Sequence, residues 1–383
     1  MTEERKKGYR LTGILKILGG TGLLLVLFLT FACGPTHPEV PAITAPAGST
    51  ADPTATPSLA EETTPRPTKE PTITETVGII RRASDLPRDG DGLVTLDIDF
   101  DQPIMLSVTG RHVNLRDAPS VDTGKRITGV TLGQQMMADG VKEGWFRVTV
   151  LPGQQEGYLR SDFADDFDPA RIYYARLPRE EKVIQEEDGS QTVLVNHLVD
   201  LREYVPDMVF HLVFATPDNY MDRTLYARDV CLLQKGTAEK LARAQERFKE
   251  DGYRIKIYDG YRPSSVSGEL FKLIPDPSYV SPAGKSFHNR GVSVDITLVD
   301  ESGEELEMPS GVMELNEKAR RNQKGMSEEA RRNLDYLTKI MNQSGFQSVS
   351  NEWWHYTDWD AKRYMVSDID FTTVDFIERK QDD

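Results

Sequence analysis

Apolar and polar positions change their pattern several times along the chain, and each change marks a different kind of segment. Near the start, the run from Ile17 to Ala32 is almost wholly apolar and is densest over Leu23–Ala32. Arg5, Lys6, Lys7 and Arg10 precede it and Cys33-Gly34 follow it. Residues 34–99 carry no apolar period and are dense in Pro, Thr, Ala and Glu. Such a stretch cannot bury a core, so it reads as a disordered stalk and linker. From 100 to 167 short alternating segments appear: Ile104–Val108, His112–Arg116, Gln134–Ala138 and Trp145–Val150. Asp139-Gly140 and Pro152-Gly153 read as hairpin or turn sites between them, which predicts a compact all-β barrel. From 171 to 365 the period alternates between that of a helix and that of a strand. Leu241, Ala244 and Phe248 form the stripe of a helix over Thr237–Glu250, capped by Thr237 and ended by Gly252. Tyr253–Tyr258 alternates as a strand. Leu334, Leu337 and Met341 stripe a second helix over Ser327–Asn342, with Ser327 as cap and Gly345 as stop. The expected fold of this segment is α+β with a largely antiparallel sheet. Residues 366–383 form an acidic, partly apolar tail.

Charge and the ends of the chain narrow the setting. Positive residues ahead of an apolar run mark an exported chain. The run is short for a span, which needs about 20 apolar residues. Ala32 before Cys33 resembles the lipoprotein signal, although leucine stands at Leu29 and Phe31 is bulky for its position. The reading is a chain lipidated at Cys33, exported and tied to the membrane, facing the cell wall. An uncleaved N-terminal anchor or a cleaved signal would be the alternatives. Among 383 residues the net charge of −15 opposes binding to nucleic acid, whose phosphates it would repel. Cys231 lies in an apolar stretch and reads as a buried structural thiol, so with Cys33 it implies no disulfide framework.

Candidate chemistry concentrates in two short segments. In the first, Val292, Val294, Ile296 and Leu298 alternate, so Ser293, Asp295 and Thr297 must face the other side of a strand. A carboxylate in such a strand is costly unless it is paired or holds a metal. His288 lies seven residues earlier, with Gly291 permitting a tight bend between them. The second segment is Asn351–Tyr356, containing Glu352, Trp353, Trp354 and His355. If it is extended, Trp353 and His355 share a face and Trp354 takes the other; Glu352 meets His355 only if the chain turns at Glu352. Two imidazoles and one carboxylate around an open position form a catalytic zinc arrangement. A carboxylate outside the ligand set would then act as base. By spacing alone, an ordinary His/Asp polar contact and a surface Glu352 are equally open readings.

Taken together, Asp259–Pro263, Ser286–Gly291 with Asp295–Leu298, and Glu352–Tyr356 resemble the D-alanyl-D-alanine dipeptidases of the vancomycin-resistance type. Phe214–Tyr220 adds to the likeness, and the paired tryptophans favour the dipeptidase branch over the carboxypeptidase branch. The resemblance implies zinc held by His288, Asp295 and His355, Glu352 as general base, Arg262 stabilising the oxyanion, and Ser286 contacting substrate. It also implies an acidic partner for the ammonium of the dipeptide, but Met313 stands at that position, with Glu314 next to it. A one-residue shift lets Glu314 serve. Phe287 replaces a small polar residue common in the family. Further upstream, Val113–Ser120, Gly144–Val148 and Glu156–Leu159 resemble bacterial SH3 domains, which implies binding to the cell wall. The implied substrate is D-Ala-D-Ala or, alternatively, a peptidoglycan stem peptide trimmed by a D,D-carboxypeptidase. A non-catalytic wall-binding lipoprotein is the reading from another class.

Overall fold

The computed structural model describes residues 80–379. The apolar N-terminal run, Cys33 and most of the stalk lie outside the described residues, so the readings made for them are not addressed by it.

The first half of the described chain is a seven-stranded antiparallel sheet. Its strands are β1 (Ile98–Val108), β2 (His112–Arg116), β3 (Arg126–Thr131), β4 (Gln135–Lys142), β5 (Trp145–Val150), β6 (Gln155–Arg160) and β7 (Ala164–Asp166), in the order β3-β2-β6-β5-β4-β1-β7. Alternation along each strand sends Leu106, Leu115, Met136, Ala138, Phe146, Val148 and Leu159 into one core. Two expectations need correction here. Asp139-Gly140 is not a turn: it lies inside β4, where the pairing with β1 and with β5 slips and forms a bulge. The reversal to β5 is made by Glu143 and Gly144, both at positive φ, as a tight hairpin requires. Residues 80–99 are not disordered linker. Ala83, Leu86 and Val94 are buried in the same core, and Val94 N–H donates to Ser161 Oγ at 2.9 Å. These apolar residues are set singly among charged ones, so they leave no period to read.

The second half begins with β8 (Ile172–Arg176), the hairpin β9 (Glu180–Gln185) and β10 (Gln191–Asn196), and β11 (Leu198–Asp200). It continues through α1 (Leu201–Tyr204), β12 (Val209–Phe210), β13 (Leu232–Gln234), α2 (Lys235–Glu250), β14 (Arg254–Asp259) and α3 (Ser264–Leu273). The last elements are β15 (Ser293–Val299), α4 (Glu328–Gln343), β16 (Phe346–Ser348), β17 (His355–Asp358) and β18 (Asp375–Arg379). The central sheet runs β12-β14-β15-β17-β16, antiparallel except for the β12–β14 pair. Leu241, Ala244 and Phe248 of α2 and Leu334, Leu337 and Met341 of α4 share a core with Val294, Ile296 and Leu298 of β15. One sheet face is thereby sealed against helices, and the other is left for chemistry.

The helix ends show how local chemistry sets the boundaries. Ser327 caps α4 as expected, its Oγ accepting from Ala330 N–H at 2.9 Å. Ser327→Ala is expected to destabilise the chain by about 1 kcal/mol, read as a lower midpoint of chemical unfolding. Thr237 does not cap α2. That helix starts at Lys235, and the buried Thr237 hydroxyl donates to Asp358 Oδ2 at 2.7 Å instead. The segment after Met365 also packs on the domain: β18 pairs with β8, and Phe371, Val374 and Phe376 are buried.

The two halves meet closely. Gln134 Nε2 donates to the carbonyl of Ala227 at 2.9 Å, and Thr224 Oγ1 to that of Pro152 at 3.1 Å. At Gly133 φ is +74°, and an added Cβ would come within 2.3 Å of the Tyr173 ring. Gly133→Ala combines strain with overpacking and is expected to cost about 1–3 kcal/mol, lowering the melting temperature.

Candidate active site

Sheet register builds the site. Asp295 on β15 lies opposite His355 on β17 and, on its other side, opposite Asp259 on β14. Asp259 reaches this row through a bulge. Ile257 pairs with Ile296 on the core face, and the register then slips so that Asp259 opposes Asp295. The extra residue moves Asp259 off the face of Ile255 and Ile257 and onto that of Asp295. His288 comes from the short 3-10 helix Phe287–Arg290, which Ser286 caps by accepting from His288 N–H at 3.2 Å. Gly291 ends it at φ +66°, where an added Cβ would meet Leu198 at 2.4 Å. The bend expected there is thus real, and it delivers His288 to the row.

Three donor groups converge. His288 Nε2 lies 3.1 Å from His355 Nδ1 and 3.4 Å from Asp295 Oδ2, and His355 Nδ1 lies 3.0 Å from Asp295 Oδ1. The three ligand atoms all fall within 4.8 Å of one another, and all three residues are buried. His288 Nδ1 sits 2.7 Å from the Gly260 carbonyl, which can only accept. That bond fixes the tautomer and leaves the Nε2 lone pair facing the cluster. His355 presents Nδ1 to the cluster and places Nε2 3.0 Å from the Thr357 hydroxyl, which can take its N–H. Two lone pairs and a carboxylate aimed at one point suit a cation, so these residues fit a metal ion. Burial alone would raise the pKa of Asp295 and lower that of His288, but their mutual attraction, with His355 adding to it, holds the carboxyl below its usual range and the His288 imidazole above its own, so a bound cation would take the place of the proton they share. The carboxylate is therefore ionised and ready to bind.

Glu352 stands beside this cluster, its Oε2 3.9 Å from His355 Nδ1. The chain is not extended here: it bends at Trp353 and Trp354, between Glu352 and the start of β17 at His355. The same bend changes the expected placing of the tryptophans. Trp354 lines the cleft with Glu352 and His355, while Trp353 Nε1 donates to Ser310 Oγ at 3.1 Å. Burial pushes the Glu352 carboxyl up to about 7, against the pull of His355. A carboxyl so placed can take and return a proton near neutral pH.

Arg262 is both ion-paired and part of the cleft. Its Nε and Nη2 donate to Asp259 Oδ2 at 2.8 and 2.7 Å, and Nη2 lies 3.7 Å from Asp295 Oδ2. Tyr226 OH donates to the other oxygen of Asp259 at 2.6 Å. Two carboxylates opposed across strands repel each other, and the guanidinium between them offsets this. Burial works against the Arg262 charge, but Asp259 prevails and keeps it protonated. Phe214, Tyr220, Met313 and Ser286 complete the lining. Glu314 is not brought to the site. Its side chain is exposed and folds back on its own turn, Oε1 accepting from Gly311 N–H at 3.3 Å. The backbone causes this: Met313 takes φ +65°, which turns Met313 toward the cleft and Glu314 outward. Tyr226 and Thr357 act on the site without having been singled out, and Asp259 opened a motif without being given a role; a bulge and a cross-strand register, invisible in a period, put them there.

The fold and the site define a peptidase-like α+β domain with a buried His-Asp-His cluster, an adjacent carboxylate and an arginine. The family model described as D-ala-D-ala dipeptidase matches residues 195–376. The chain is 36% identical over 170 residues to the D-alanyl-D-alanine dipeptidase of Escherichia coli (strain K12), covering 44% of this chain and 88% of that one. It is 30% identical over 196 residues to that of Enterococcus faecium, covering 45% and 95%. It is 29% identical over 185 residues to that of Enterococcus faecalis (strain ATCC 700802 / V583), covering 42% and 91%. The chain belongs to the D-alanyl-D-alanine dipeptidase family, and it is a peptidase.

Proposed function

We propose that the chain is a zinc-dependent D,D-dipeptidase that hydrolyses D-Ala-D-Ala outside the cytoplasm. The observation that carries this reading is the convergence of His288 Nε2, His355 Nδ1 and the Asp295 carboxylate beside the buried Glu352. His288, Asp295 and His355 would hold the zinc. When bound there, zinc supplies a Lewis acid that makes water nucleophilic near neutral pH and polarises a carbonyl. Glu352 takes the proton from the attacking water and returns it to the leaving amine. Arg262, fixed by Asp259, holds its charge toward the developing oxyanion. Trp354, Tyr220 and Met313 wall the cleft and keep bulk water from weakening these interactions. Ser286 offers a hydroxyl at the rim. Arg262→Lys keeps a charge but loses the fork that Asp259 orients. It is expected to lower kcat by about 10²-fold with a smaller change in KM, read as D-alanine release.

The setting extends the proposal. Lipidation of Cys33 would tie the exported chain to the membrane, the stalk would lift it from the bilayer, and the N-terminal β domain, SH3-like by sequence, would bind the wall. A second reading is favoured by one observation: with Glu314 turned outward, the cleft lacks the acid that would pair with the ammonium of a free dipeptide. A stem pentapeptide, whose chain continues beyond that position, would not need it. Supplying the full chain with D-Ala-D-Ala and with a stem pentapeptide, and measuring released D-alanine, decides between them. The dipeptide is expected to be cleaved; cleavage of the pentapeptide alone would reassign the enzyme as a D,D-carboxypeptidase.

A further inference from the structure

A second cleft, of about 330 Å³, opens where the β domain meets the peptidase domain. That is at the lower end of the ~300–1,000 Å³ range of small-ligand pockets. Its floor contains Arg228, which is only 7% exposed. Among the described residues Arg228 makes no ion pair within 4 Å. Its hydrogen bonds are three contacts of 3.4 Å, all from Nη1, to the carbonyl and hydroxyl of Thr131 and the carbonyl of Leu132. Among the described residues Nη2 and Nε carry none. The other charges of the cleft are already engaged. Arg202 pairs with Asp229 at 3.0 Å, and Arg171 lies 3.8 Å from Asp168 and 3.6 Å from Glu378. Asp200 and Asp229 are near enough to favour its charge, but their carboxylates bond Ala175, Arg202 and their own surroundings rather than the guanidinium, and nothing in the peptidase chemistry uses it.

We propose that this cleft is a second binding site, which takes the C-terminal carboxylate of a short, otherwise uncharged peptide on Arg228. The Phe376 ring covers one face of the guanidinium, 3.9 Å from its carbon. What remains available is the planar edge, which matches a carboxylate in a two-pronged contact. A phosphate dianion would call for more unpaired cations than the one present. Leu151, Pro152 and Tyr173 supply apolar walls for the neighbouring side chains of a peptide. The site joins the two domains, because Thr131 and Leu132 come from one and Arg228 from the other. It lies apart from the cleft of Glu352 and does not depend on what that cleft cleaves.

The test is calorimetric titration of the full chain with acetyl-Ala-Leu, with its neutral C-terminal amide, and with inorganic phosphate, each repeated with D-Ala-D-Ala saturating a Glu352→Gln chain. Acetyl-Ala-Leu is expected to bind one per chain, about tenfold or more tighter than either control, and undisturbed by D-Ala-D-Ala. Arg228→Lys is expected to weaken that binding about tenfold while leaving D-alanine release within about twofold. Arg202→Gln, at the more exposed rim, gives the same reading with a smaller loss if Arg228→Lys does not fold. No binding, equal binding of the amide or of phosphate, displacement by D-Ala-D-Ala, or indifference to both substitutions would each overturn the proposal.

Discussion

Replacing Glu352 with Gln is expected to reduce hydrolysis of D-Ala-D-Ala by about 10²–10⁴-fold while leaving bound zinc and the melting temperature nearly unchanged. The amide has the same shape, so the turn ahead of β17 and the packing of Trp354 survive. It cannot accept a proton, so the attacking water loses its base and the leaving amine its acid. Glu352 is also outside the donor cluster, at 3.9 Å from His355 Nδ1, so the metal should stay. Zinc content and D-alanine release measured on the same preparation check both halves. Turnover within a few-fold of the parent chain would remove Glu352 from its role.

Asp295→Asn should have the opposite signature, losing metal and activity together. Among the described residues Asp295 is the only anion contributed to the donor cluster, and it stands between two imidazoles and the Arg262 guanidinium. The amide keeps the volume but removes the charge that draws a cation among these groups. Arg262 then faces the cluster without the carboxylate that separates it from a metal. Zinc affinity is expected to fall by about 10²-fold or more, measured by competition with a chelator of known affinity. Unchanged zinc affinity would exclude Asp295 as a ligand.

The residues of the site were legible in the sequence to different depths, for physical reasons. Period 2 along β15 put Asp295 on the face opposite Val294 and Ile296, because alternation is a property of the strand alone. Gly291 marked the bend that delivers His288, because its positive φ and tight surroundings demand glycine. The helix α4 was bounded by Ser327 and Gly345, whose roles are local. What alternation could not supply was anything that depends on a neighbouring strand. Asp259 shares its parity with Ile255 and Ile257, and only a bulge against β15 turns it toward Arg262. Trp353 and Trp354 would take the expected faces in an extended strand, but the turn that brings Glu352 to His355 exchanges them. Glu314 was placed by counting along the chain, and a single positive φ at Met313 directs it to solvent. The isolated apolar residues at 83, 86 and 94 have no period at all, and only the β domain's core gives them a place.

The central claim is that His288, Asp295 and His355 hold the zinc on which hydrolysis depends. Its most direct test strips the full chain of metal with a chelator, removes the chelator, and follows D-alanine release from D-Ala-D-Ala as zinc is returned in steps. The stripped chain is expected to show no turnover, and recovery to be linear and to stop at one zinc per chain. Full turnover by a chain shown to contain no metal would contradict the claim.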